Sequence, residues 1–308
     1  MQTETDILVI GGGIAGFSAA LCAARLGLST NVLTGATLGG HLVSIELIEG
    51  FPGFEEGVAG YDLCPITQGQ ATEAGAGVAM PEATALRRSD NDERWFVESP
   101  AGDYLARAVI MATGTRLRSL GVPGESEFVG RGVSHCASCD APLLRGKPVI
   151  VAGGGDSAAQ EALFLAPHAS GVTIVHDGPA LTCQQSFAER IALAGNIRCI
   201  ANATVTAILG DEAVTGVQIK DAAGGAIEAE AAGIFVYVGL EPCSELLDGL
   251  AELSSTGHTV TDAQLATNVP GIYAAGTLRA GAVGRAAAAA GEGMSAAIAA
   301  GEYLGEHK

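Results

Sequence analysis

The chain has 308 residues, more than one ordinary core uses, so two domains are the first expectation. Hydrophobic residues at 48% and charged residues at 16% describe a globular chain and exclude a disordered one. Sixteen basic against 34 acidic residues give a formal charge of −18, which repels a phosphate backbone and excludes nucleic acid as the main partner.

The opening stretch MQTETDILVIGGG has no basic region or long apolar run before a cleavage site, and so does not read as a signal peptide. Its first element is DILVI at 6–10, a β-branched apolar run of the kind that forms a buried parallel strand. The run enters Gly11-Gly12-Gly13-Ile14-Ala15-Gly16, followed by a helical stretch at 17–27 and a second strand at 30–33. In a strand–GxGxxG–helix–strand context each glycine has a task. Gly11 permits the tight turn, Gly13 lets the backbone approach a pyrophosphate, and Gly16 lets helix and strand pack closely. The free N–H groups of the helix N-terminus then face the phosphates.

Strand-like runs follow at 94–98 and 104–111, the latter ending at Ala112-Thr113-Gly114. The glycine grammar returns 142 positions after Gly11. Strand 148–152 leads into Gly153-Gly154-Gly155-Asp156-Ser157-Ala158, then a helix and a strand at 172–176. Two copies in the same context point to two dinucleotide sites, where one alone in so glycine-rich a chain is weak. Further strand-like runs lie at 216–219 and 233–238. The last landmark is Gly271-Ile272-Tyr273-Ala274-Ala275-Gly276, an apolar strand leading to an Ala-rich helix at 285–304. That helix carries Glu292 and Glu302 and reads as buried and soluble; no apolar stretch has membrane-spanning length. The predicted fold class is α/β: two Rossmann-like, three-layer dinucleotide-binding domains, the second inserted into the first. Expected boundaries are 1–115 with 243–308 for the outer domain and 116–242 for the insert.

Cys136-Ala137-Ser138-Cys139-Asp140 carries the chemistry. Two cysteines three apart close a reducible ring, and a helix N-terminus beside them favours thiolate. A four-ligand zinc site lacks support, because Cys22, Cys64, Cys183, Cys199 and Cys243 are single and scattered. Seven cysteines with no secretion signal point to a reducing cytoplasm, where such a pair is catalytic more often than structural. Asp140 is placed to pass a proton to a released thiolate, or to cap a helix. His135 reads either as a thiolate partner or as an exposed loop histidine.

With these residues on the page, the chain resembles the low-molecular-weight thioredoxin reductases over nearly its whole length. GGGIAG, GGHL at 39–42, IEGFPG at 48–53, ATG at 112–114, GRGVSHCASCDA, GGGDSAAQEAL and GIYAAG carry the resemblance. It implies FAD in the outer domain, NADH or NADPH in the insert, a homodimer, and a thioredoxin-like protein or small disulfide as partner. Cys139 then faces the flavin, Cys136 attacks the substrate disulfide, and Asp140 is the acid. Flavin contacts implied by the resemblance add Gly40, His41, Thr113, Gly114, Gly276 and Thr277 to the glycine turn.

Departures from the family pattern sharpen the expectation. The family's arginines that clamp a 2′-phosphate are replaced by His176-Asp177-Gly178-Pro179, and no Lys or Arg occurs between Lys147 and Arg190. Asp177 lies 24 positions after Gly153, where a carboxylate accepts from the free 2′-hydroxyl of NAD. NADH is therefore favoured over NADPH, with a vestigial nucleotide site as the competing reading. Relatives with such a site take electrons from ferredoxin or act as dithiol oxidases. A non-enzymatic redox-sensing scaffold is the alternative of another class. Thr277 stands where the family usually has Asp, and Arg285-Ala286 approximates an Arg-Gln pair with a one-residue shift. Both changes weaken flavin contacts.

Overall fold

A computed structural model describes residues 2–89 and 93–307. The strands are β1 (Gln2–Ile10), β2 (Thr30–Leu33), β3 (Gly77–Ala79), β4 (Ala85–Arg88), β5 (Trp95–Glu98), β6 (Asp103–Met111), β7 (Thr115–Leu117), β8 (Val133–Ser134), β9 (Pro148–Ala152), β10 (Gly171–Val175), β11 (Ile197–Ile200), β12 (Thr204–Gly210), β13 (Val214–Lys220), β14 (Ala226–Glu230), β15 (Gly233–Val236), β16 (Leu240–Pro242) and β17 (Ile272–Ala274). The α-helices are α1 (Ile14–Arg25), α2 (Gly60–Glu73), α3 (Ala137–Asp140), α4 (Asp156–Leu165), α5 (Gln185–Leu193) and α6 (Ala286–Glu306). Two compact units result, Met1–Arg116 with Glu241–Lys308, and Leu117–Leu240. The strands at the two chain crossings, β7 and β16, pair with each other. No helix among the described residues is long and apolar enough to cross a membrane.

In the outer unit β3, β2, β1 and β6 run parallel, and β17 joins β6 in the same sense over Val109–Met111. β5 pairs antiparallel with the earlier part of β6, and β4 with β5. β1 begins four residues before the predicted DILVI run, because Gln2–Thr5 lie in parallel register with Asp103–Ala106. Alternation along the strands separates two cores. Ile7, Val9, Val32 and Ile110 face α1, α2 and α6, while Leu8, Ile10, Leu33 and Met111 pack with Trp95, Val97 and Leu247. α6 packs closely on α1: a Cβ at Gly293 would collide with the Ala15 carbonyl, so only glycine permits this approach.

The inner unit repeats the plan with the parallel order β11-β10-β9-β15-β8. Val149, Val151, Val172, Ile174 and Phe235 pack against α3, α4 and α5. Ile150, Ala152, Ile234 and Val236 face the antiparallel sheet β12-β13-β14 through Val205, Ile208, Val217 and Ile219. Both units are thus three-layered and Rossmann-like.

Candidate dinucleotide cradles and dithiol site

The first cradle forms where β1 hands over to α1. Gly11 adopts φ +121°, and a Cβ there would collide with the Ala112 carbonyl beyond β6. Gly16 is confined in the same way by the Gly11 carbonyl. Gly13 differs from both, since a Cβ there would meet nothing within 4 Å. This is the open floor of the turn, and it caps an α1 N-terminus that has no side-chain cap and no acid in its first turn. Ile14 and Ala15 are buried, so they offer N–H groups rather than side chains. A pyrophosphate fits here on steric and electrostatic grounds.

The other predicted flavin residues gather around that turn. Gly39 N–H donates to the Gly12 carbonyl (2.9 Å), and a Cβ on Gly40 would lie 3.4 Å from Gly13 Cα. The following short turn, Gly40–Ser44, leaves His41 exposed. Thr113 Oγ1 donates to the Cys243 carbonyl (2.6 Å), so its hydroxyl braces the backbone beside Gly114. Thr277 Oγ1 bonds Thr115 Oγ1 (3.1 Å), and the Gly276 N–H donates to Glu292 Oε2 (2.8 Å). Glu292 is in turn gripped by Arg279, with Nη2 2.7 Å from Oε1 and Nε 3.2 Å from Oε2. In the sequence alone Glu292 marks only a soluble helix. Its contacts with 276 and 279 span a turn of loop and half a helix, which no local motif signals.

In the inner unit Gly153 copies Gly11, with φ +129° and a Cβ collision with the Tyr237 carbonyl beyond β15. Gly155, the N-cap of α4, is the open position; its nearest neighbour would be Thr182 Oγ1 at 4.0 Å. Asp156 Oδ1 accepts the Gln184 N–H (2.6 Å), tying the loop after β10 back to the helix start, while Ser157 is exposed. His176 is 4% exposed and packs on Gly154, and its Nδ1 has no hydrogen-bond partner. A buried unfilled ring nitrogen beneath an open glycine turn fits a polar ligand. Asp177 is exposed at the end of β10.

Cys136 and Cys139 are joined in a disulfide, with Cα atoms 5.3 Å apart. Cys136 is the N-cap of α3, and its Sγ accepts the Cys139 N–H (3.3 Å). Ser134 Oγ accepts the Cys136 N–H (3.1 Å) and donates to the Cys136 carbonyl (3.2 Å), which fixes the turn from the β8 side. Cys139 is exposed and Cys136 half-buried. Asp140 makes no side-chain cap to the turn that follows, so its carboxylate is not spent on capping. His135 lies in the loop between β8 and α3 but is half-buried rather than exposed, and its Nδ1 is tied to the Val236 carbonyl (3.2 Å) rather than to a sulfur. Two groups escaped the sequence reading: Glu161, whose Oε2 accepts the Ala137 N–H (3.3 Å), and Tyr237. The other five cysteines are free thiols, and burial pushes Cys64 up to about 11.

Two open glycine cradles and a closed Cys-x-x-Cys define a disulfide oxidoreductase working with dinucleotides. The comparisons agree: residues 5–293 match the family model described as pyridine nucleotide-disulphide oxidoreductase. The thioredoxin reductase of Treponema pallidum is 38% identical over 305 residues, covering 99% of this chain and 98% of that protein. The solved structure of the Lactococcus lactis thioredoxin reductase aligns with TM-score 0.94 and 32% identity, covering 98% of this chain and 99% of that one. A ferredoxin-flavin thioredoxin reductase from Clostridium acetobutylicum aligns with TM-score 0.54 and 28% identity, covering 99% and 100%. The chain belongs to the low-molecular-weight thioredoxin reductase family of pyridine nucleotide-disulphide oxidoreductases. It is an FAD-dependent disulfide oxidoreductase whose family also uses a nicotinamide nucleotide.

Proposed function

We propose that this enzyme passes electrons from NADH, in preference to NADPH, to the Cys136–Cys139 pair and on to a thioredoxin-like protein or a small disulfide such as a lipoyl group. The observation that carries the reading is the closed Cys136–Cys139 disulfide on a turn that leaves Cys139 exposed and Asp140 uncommitted to capping. FAD bound by residues 1–115 and 243–308 supplies the two-electron carrier between nucleotide and dithiol. Gly11, Gly13 and Gly16, with the N–H groups at Ile14 and Ala15, hold its pyrophosphate. Gly40, His41, Thr113, Gly114, Gly276 and Thr277 contact the rest. In the insert, 116–242, Gly153, Gly155, Asp156 and Ser157 form the nicotinamide nucleotide cradle.

Asp177 supports NADH. It is exposed at the end of β10, where the ribose of a nucleotide on this cradle lies, and 148–189 contains no Lys or Arg to meet a 2′-phosphate. Cys139 takes the electron pair, Cys136 attacks the substrate disulfide, and Asp140 protonates the released thiolate. Five free thiols accord with a cytoplasmic setting. A homodimer belongs to the reading, since Leu47, Phe54, Tyr61 and Ile66 leave apolar surface exposed on the outer unit.

Anaerobic absorbance titration of the purified protein tests this. NADH bleaches the flavin band at concentrations where NADPH does not, and Cys136→Ser keeps flavin reduction while losing disulfide turnover. A flavin that neither nucleotide reduces, but a dithiol or reduced ferredoxin does, moves the assignment to another donor or to a dithiol oxidase. The likeness to the ferredoxin-flavin enzyme and the missing cations favour that second reading.

A further inference from the structure

The dithiol turn rests on a buried acid. Ala137, the residue after Cys136, is fully buried, and its N–H donates to Glu161 Oε2 (3.3 Å). Glu161 lies on the inward face of α4, among Ala158, Ala162 and Leu165, and is 9% exposed. An apolar residue would satisfy that packing at no desolvation cost. Tyr237, just past β15, is 7% exposed, and its hydroxyl makes no hydrogen bond of good geometry. Burial first, and the Glu161 carboxylate next, push the phenol well above its ordinary range. The hydroxyl is therefore an unfilled donor beside a buried carboxylate.

We propose that Glu161 is a positioning residue for the redox step, holding a negative charge against the dithiol turn so that the reduced pair binds its protons tightly and is a strong reductant. The inference rests on the reading of Cys136–Cys139 as the working dithiol. Reduction breaks the S–S bond and places the electron pair arriving from the flavin on the two sulfurs. Up to two protons are then bound, delivered by Asp140 and solvent; Glu161 gives up none. A fixed negative charge nearby disfavours thiolate, raises thiol proton affinity and stabilises the disulfide relative to the thiolate form. Among the described residues the titratable groups facing the pair include His135, Asp140, Glu161 and Tyr237, and Glu161 accepts from the backbone N–H between the cysteines.

Glu161→Gln isolates the charge, because an amide oxygen still accepts the Ala137 N–H. Holoenzyme is reduced anaerobically with dithiothreitol, and iodoacetamide alkylation of Cys136 is followed against pH by peptide mass mapping. Dithiol–disulfide equilibria with dithiothreitol are measured alongside. The alkylation midpoint of Glu161→Gln falls by about one pH unit, and at pH values above the wild-type midpoint its equilibrium moves several-fold toward the reduced pair. A Glu161→Gln profile that overlays the wild type overturns the inference, leaving Glu161 a plain hydrogen-bond acceptor. Wild-type cysteines that alkylate without prior reduction, or never reoxidise, overturn the dithiol reading instead.

Discussion

Glu292 is the residue on which the turn after β17 depends, and its removal has a calculable effect. Arg279 and Glu292 are only 16% and 17% exposed, and the carboxylate is filled by two guanidinium nitrogens and the Gly276 N–H. Breaking a buried pair by deleting one partner costs about 3–5 kcal/mol, mainly because the surviving charge is stranded. Arg279 would keep only Thr261 Oγ1 (3.0 Å). Some solvent reaches the pair, so the lower end, about 3 kcal/mol, is the working figure. A unit of this size loses about 2–4 °C of Tm per kcal/mol, which puts Glu292→Ala about 6–12 °C below wild type by calorimetry. Thr277 is carried by the same turn, so the flavin-to-protein absorbance ratio falls as well. The double variant Arg279→Met/Glu292→Leu strands no charge and loses less than Glu292→Ala alone. A Glu292→Ala protein melting within about 2 °C of wild type, with full flavin, would refute the reasoning.

Gly13 has open space where a Cβ would go, so Gly13→Ala folds normally but weakens FAD binding about tenfold or more, read as flavin fluorescence on titration of apoprotein. A loss of folded apoprotein stability equal to the loss of affinity would show that the turn, and not the ligand, needs glycine. Asp177→Arg exchanges a hydroxyl acceptor for a phosphate partner, and the ratio of NADPH to NADH efficiency rises about tenfold in stopped-flow flavin reduction. An unchanged ratio would place the ribose elsewhere. Burial holds the Cys64 thiol at about 11, and its Sγ donates to the Gly39 carbonyl (3.3 Å). At pH 8 about one molecule in a thousand carries the thiolate, so native protein alkylates at Cys64 only as the pH climbs towards 11 or after unfolding. Rapid alkylation of Cys64 in folded protein at pH 8 would contradict that burial.

The elements legible in the sequence were those whose signals are short. Strand, glycine turn and helix at 6–27 and again at 148–166 declare themselves within about twenty residues, because each glycine answers a collision or a φ set by its immediate neighbours. The Cys-x-x-Cys-Asp signal is shorter still. α2 was not legible, since Pro65 and Gly69 interrupt its helical pattern and its stability comes from packing on α1. Of the antiparallel sheet β12-β13-β14 only part of β13 was visible, because its outward positions are exposed and polar and its inward ones acquire meaning only against the parallel sheet.

By itself, then, the chain determined two dinucleotide turns, a dithiol between them and a nucleotide loop without cations, all consequences of residue type at fixed short spacing. Tertiary structure alone decided what holds those pieces in place. Glu161 reaches Ala137 across 24 residues, Gln184 reaches Asp156 across 28, and Thr113 reaches Cys243 across 130. Hydrogen bonds of that span depend on which strands lie side by side, and strand order is set by burying both faces of a sheet, a property of the whole chain that no short segment contains.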